Sequence, residues 1–100
     1  MANYRLTHKA VEDLADIWNY TFDMWSEKQA DDYYGMLIAS CQKIAGQPEL
    51  LGKRYDEIVN GLRGFKANKH IIFYQILSNN DVEIIRILHG SMDLPNRMAE

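Results

Sequence analysis

The sequence predicts an α+β fold, with an N-terminal strand and an α-helical hairpin packed on one face of a small antiparallel β-sheet. Three observations carry this reading. Apolar residues recur at steps of three and four from Ala10 to Ala45, then give way to alternation after Pro48. The helical half is interrupted only at Trp25-Ser26, which leaves room for a tight antiparallel hairpin. Two β-branched and aromatic runs, residues 71–77 and 82–88, flank the turn residues Ser78-Asn79-Asn80-Asp81.

Each element has its own signal. Residues 4–7 alternate and read as a first strand. Thr7 is placed as the N-cap of a helix over residues 8–24, with Glu12 and Asp13 near its positive end. Ala10, Leu14, Ile17, Trp18, Thr21 and Trp25 form the apolar stripe of that helix, widened by Val11, Ala15 and Phe22. Ser26-Glu27-Lys28-Gln29 is a capping-box pattern opening a second helix. Its stripe runs through Ala30, Tyr33, Tyr34, Leu37, Cys41, Ile44 and Ala45 until Gly46 and Pro48 stop it. A strand is expected around residues 55–58 and another through Leu62, Phe65 and Ala67, ahead of the two long strands. Residues 92–100 read as a loop with one or two helical turns. With 100 residues and no linker or repeat, the chain is expected to form one domain over residues 1–100.

Composition narrows the function classes. A net charge of −3 and a pI of about 5.5 argue against tight binding to bulk nucleic acid, which needs phosphate neutralisation by Lys and Arg. The single cysteine, Cys41, lies at core spacing and fits a reducing cytoplasm. The polar start lacks the apolar core of a signal peptide, and Met1-Ala2 lacks the glycine that myristoylation requires. No run approaches a membrane span, so a soluble protein is expected. The histidines and Cys41 show no metal-ligand spacing, and the glycines form no phosphate loop, so neither metal nor cofactor is expected.

The long strands are apolar on both faces. Alternation places Ile71, Phe73 and Leu77 on one side, and Ile72, Tyr74 and Ile76 on the other. In the next strand it places Val82, Ile84, Arg86 and Leu88 together, opposite Glu83, Ile85 and Ile87. A helical hairpin covers one face only. The other is left to the C-terminal tail through Met92, Leu94 and Met98, to a partner chain, or to a second copy.

Three stretches, taken in order along the chain, resemble the ParE-type toxins of bacterial toxin–antitoxin modules, in the RelE/ParE superfamily. They are Leu6-Thr7 with Ala10, Asp13-Leu14 and Ile17; His70-Ile71-Ile72-Phe73-Tyr74; and Ile85-Arg86-Ile87-Leu88-His89 through Met92-Asp93. The resemblance implies a toxin that binds and blocks DNA gyrase. It also implies neutralisation by a ParD-like antitoxin, a ribbon–helix–helix protein whose C-terminal segment wraps the toxin. Target contacts are expected at Arg63, Lys66, Arg86, His89, Met92 and Asp93, which combine charge with strand-end or tail position. Antitoxin contacts are expected among Trp18, Phe22, Tyr33, Tyr34, Leu37 and Tyr74.

The same fold serves RelE-like ribosome-dependent mRNA endoribonucleases, and a non-toxic antitoxin-binding subunit is a third alternative. RNA cleavage needs a general base, a general acid and a cation at the phosphorane. Glu57, Arg63, Lys66, His70, Tyr74, Arg86 and His89 would supply them if they converged. Against cleavage stand the acidic balance and the ending His89-Gly90-Ser91-Met92-Asp93. The expectation is a binding protein and not an enzyme, with Arg86 paired to Asp93 or another tail carboxylate.

Overall fold

Thr7 starts the helical layer by a simple exchange: its side-chain oxygen accepts the free amide of Ala10, and its hydroxyl donates to the Ile85 carbonyl. In the computed structural model, which describes residues 3–99, this cap joins β1 (Tyr4–Leu6) to α1 (His8–Met24). The expectations for Met1-Ala2 and Glu100 lie outside the described residues. Ser26 supplies the second cap, its hydroxyl oxygen accepting the Gln29 amide at the head of α2 (Glu27–Gly46). Gly46 ends α2 as expected, and Pro48 then opens one further turn, α3 (Pro48–Leu51).

The sheet follows as β2 (Lys53–Arg54), β3 (Arg63–Ala67), β4 (His70–Ile76) and β5 (Val82–His89), and α4 (Leu94–Met98) closes the chain. Strand order is β1-β5-β4-β3-β2. The pairs among β2 to β5 are antiparallel, whereas β1 adds to β5 in parallel through Tyr4–Val82, Arg5–Glu83 and Leu6–Ile84. The strand expected around residues 55–58 is absent. Pairing falls on Lys53 and Arg54, and the next residues turn because Asp56 takes both the Arg54 guanidinium and the Gly61 amide.

One face of the sheet receives the hairpin. Ala10 and Leu14 of α1, and Leu37, Cys41 and Ile44 of α2, pack with Ile72, Tyr74, Val82, Ile84 and Ile87. Simple alternation fails in β5, however. Phe73 opposes Arg86 while Tyr74 opposes Ile84, so Ile85 is one residue too many and forms a β-bulge. Beyond it the faces exchange: Ile87 joins the helix side and Leu88 the other, the reverse of the sequence expectation.

The second face is covered by the chain itself. Leu62, Ile71, Phe73 and Leu88 are buried beneath Tyr55, Ile58, Ile85, Leu94 and Met98. Fully buried residues such as Leu62, Phe73 and Leu88 each contribute roughly 2–3 kcal/mol relative to exposure. The tail therefore does supply part of the cover, through Leu94 and Met98, and the open apolar sheet face does not exist. Met92 is not in that cluster and stays exposed.

Candidate partner-binding site

The apolar surface missing from the sheet is found on the helical hairpin. A groove of about 940 Å³ opens where the end of the hairpin meets the ends of β4 and β5. Helical spacing builds its first wall, since Asp16, Tyr20 and Met24 are four residues apart and flank the core stripe of α1. Asp32, Tyr33 and Met36 of α2 form the second wall, and His70, His89 and Met92 close the sheet end. Trp25, the residue capping α1, is 69% exposed, Tyr20 65% and Met24 59%. Large side chains left this wet on a small domain mark an interaction surface.

The sheet end of the groove holds a hydrogen-bonded polar cluster. His70 and His89 are cross-strand neighbours with ring centroids 5.3 Å apart, edge to face. Tyr33 Oη lies 2.7 Å from His70 Nδ1. The Ser91 amide donates to His89 Nδ1 at 3.1 Å. Burial, reinforced by His89 and opposed by Asp13, lowers the His70 pKa to about 4, so the ring is neutral near pH 7. Burial likewise raises the Tyr33 hydroxyl above its ordinary value.

On the opposite flank of α1, Trp18 stacks on Phe22 at 5.3 Å and donates its indole N–H to Asp31. Phe22, Tyr34 and Val11 are exposed. Of the residues expected to meet an antitoxin, Trp18, Phe22, Tyr33 and Tyr34 thus keep accessible surface. Leu37 and Tyr74 do not: both are fully buried in the helix-side core, and Tyr74 spends its hydroxyl on the Pro48 carbonyl.

The residues expected to meet a target also divide. Lys66, Met92 and Asp93 are exposed and His89 is partly so. Arg63 is half-buried and donates to the Glu49 and Gly52 carbonyls. Arg86 is buried, 5% exposed, and its ion-pair partner among the described residues is Asp13 of α1. It forms a two-pronged ion pair with Asp13, Nε–Oδ2 2.8 Å and Nη2–Oδ1 2.9 Å, and donates from Nη1 to the Arg97 carbonyl. Burial excludes it from a surface contact, because an uncompensated guanidinium cannot be withdrawn cheaply from that pair.

The nuclease set does not converge. His70 and His89 meet at one end of the sheet, while Arg63 and Tyr74 pair four residues further along β4, roughly 13 Å away. Glu57 lies exposed in the turn after β2, and Arg86 is neutralised in the interior. The groove residues Asp16, Tyr20, Met24 and Met36 were not singled out from the sequence. Their signal was a second stripe at four-residue spacing beside the core stripe.

Known proteins resemble this chain along its length. Toxin ParE1 of Caulobacter vibrioides is 39% identical over 93 residues, covering 93% of this chain and 94% of that protein. Toxin ParE1 of Mycobacterium tuberculosis is 31% identical over 97 residues, covering 97% and 98%. Among solved structures, the chromosomal ParDE TA system from P. aeruginosa superposes with a TM-score of 0.77 at 17% identity, covering 89% of this chain and 96% of that one. The toxin–antitoxin complex RelBE2 from Mycobacterium tuberculosis gives 0.58 at 17%, covering 88% and 96%. Both structures share the helical hairpin on a sheet. The family model for the ParE toxin of the type II toxin–antitoxin system, parDE, matches residues 4–94. The chain therefore belongs to the ParE toxin family, whose members act by binding and not by catalysis.

Proposed function

We propose that this chain, as a single ParE-like domain over residues 1–100, inhibits DNA gyrase in the cytoplasm by binding it, and that a ParD-like ribbon–helix–helix antitoxin neutralises it. The family match over residues 4–94 carries the reading. The exposed aromatic surface of the hairpin supports it, since a stable apolar surface of this kind is best explained by a partner. Antitoxin contacts are proposed at Trp18, Phe22, Tyr33 and Tyr34, and target contacts at Lys66, His89, Met92 and Asp93. Among the described residues no helix is long and apolar enough to cross a membrane, which fits a protein working on a cytoplasmic target.

The test is induction of the chain without its antitoxin, followed by a supercoiling assay with purified gyrase. Growth arrest with loss of supercoiling is expected, relieved by co-expression of the antitoxin. Intact supercoiling alongside cleaved mRNA would overturn the proposal.

A further inference from the structure

We infer that the methionines of the groove, Met24 foremost, are a site of reversible oxidation by hydrogen peroxide, and that their sulfoxides weaken the hold of an antitoxin on the free toxin. Only the effect on neutralisation rests on the toxin–antitoxin reading.

Placement comes first. The chain has five methionines, and Met24, Met36 and Met92 line one groove. Met24 is 59% exposed and Met92 39%, so their side chains meet a dissolved oxidant without any opening of the fold. Met36 is half-buried, and its sulfur lies 3.7 Å from the Ser40 hydroxyl, which engages a lone pair. Met98 is also half-buried, packed against the core of the second sheet face. Among the described methionines the order of reaction is therefore Met24, then Met92, then the other two. The one thiol does not intercept the oxidant. Cys41 is buried, and burial pushes its pKa up to about 11, so thiolate is scarce at neutral pH.

The chemistry is a two-electron oxygen transfer. A sulfur lone pair attacks one peroxide oxygen, and the O–O bond breaks as the S–O bond forms. The proton passes to the departing oxygen, which leaves as water; sulfur is oxidised and peroxide reduced. A flexible apolar side chain becomes a polar one. An apolar partner surface laid on the groove must then desolvate the sulfoxide oxygen, which costs affinity wherever no donor meets it. Leucine would present similar apolar surface without this response. Sulfoxide reductases reverse the step, a dithiol becoming a disulfide while the oxygen leaves as water.

The test treats folded toxin with hydrogen peroxide and maps sulfoxide by peptide mass spectrometry. Binding of the ParD-like antitoxin is measured by calorimetry before and after, with circular dichroism to establish folding. Met24 is expected to be oxidised at least about five-fold faster than Met98. Affinity should fall about twenty-fold, and a methionine sulfoxide reductase with dithiothreitol should restore it. Met24→Leu, whatever its starting affinity, should lose less than about three-fold on the same treatment. Equal rates at Met24 and Met98 would overturn the site. Rapid oxidation of Met24 with unchanged affinity would overturn the effect on neutralisation, as would an equal loss in Met24→Leu. If untreated toxin binds no antitoxin, that effect falls with the toxin–antitoxin reading, while the mapped rates still decide the site.

Discussion

Asp13 accepts three hydrogen bonds, two from Arg86 and one from the Ile87 amide at 2.9 Å, and so ties α1 to an edge of β5 that β1 does not reach. Its place near the helix start had pointed to the macrodipole, but the first turn of α1 contains no acid and Asp13 works across the fold. Asp13→Ala would remove the buried carboxylate that accepts from the Arg86 guanidinium and the Ile87 amide. Urea unfolding should register a loss of about 3–5 kcal/mol. His70 gives a pH signature whose sign follows from its lowered pKa. The unfolded ring takes a proton near pH 6.5, whereas the folded one, beside Tyr33 and His89, resists until about 4. Its contribution is present in full above about pH 6.5 and is lost as pH falls towards 4. The unfolding midpoint should therefore drop more between pH 7 and pH 5 in the parent than in His70→Gln. An equal drop in both would remove His70 as the cause. Burial also pushes the Cys41 thiol up to about 11, so alkylation at neutral pH should require unfolding.

Elements were legible where period and cap agreed. The limits of α1 are those expected, because Thr7 supplies the cap and the three-and-four spacing runs unbroken to Met24. The hairpin β4–β5 was equally plain from its β-branched runs. The bulge at Ile85 was not, since alternation cannot register an extra residue whose carbonyl is claimed by Thr7, 78 positions away. Nor was the edge strand β2, because Tyr55 and Ile58 have strand-like chemistry but serve as a lid over Phe73. Another long-range fit fixes Gly52: a Cβ there would collide with the Tyr74 hydroxyl, which is bound to the Pro48 carbonyl. Gly52→Ala should cost about 1–3 kcal/mol by calorimetry, and pairing it with Tyr74→Phe should recover part of the loss.

At the scale of the molecule, the sequence exposed a sheet apolar on both faces but left open what covered the second. Covering depends on where residues 55–62 and 94–98 return in space, which pattern alone does not encode. Leu37, Tyr74 and Arg86 were misplaced as contacts for the same reason: residue type marks interaction chemistry, but only packing decides who keeps a surface. Removing residues 94–100 should uncover Ile71, Phe73 and Leu88 and take the Arg97 carbonyl from Arg86. A loss of about 2–4 kcal/mol, with increased binding of a hydrophobic dye, is expected. An unchanged melting curve would show that α4 is dispensable for the core.

The parallel pairing of β1 with β5 has a consequence for biosynthesis. Residues 4–6 have no strand to join until residues 82–84 have been made, and Asp13 waits nearly as long for Arg86. At about 5–20 residues per second, the hairpin spends several seconds emerging with its inner stripe uncovered. A translation product that ends before residue 82 lacks the strand that joins β1 to β4. Such fragments should be cleared by proteolysis and not accumulate as partly active toxin, so the chain is delivered to the cell as a whole or not at all.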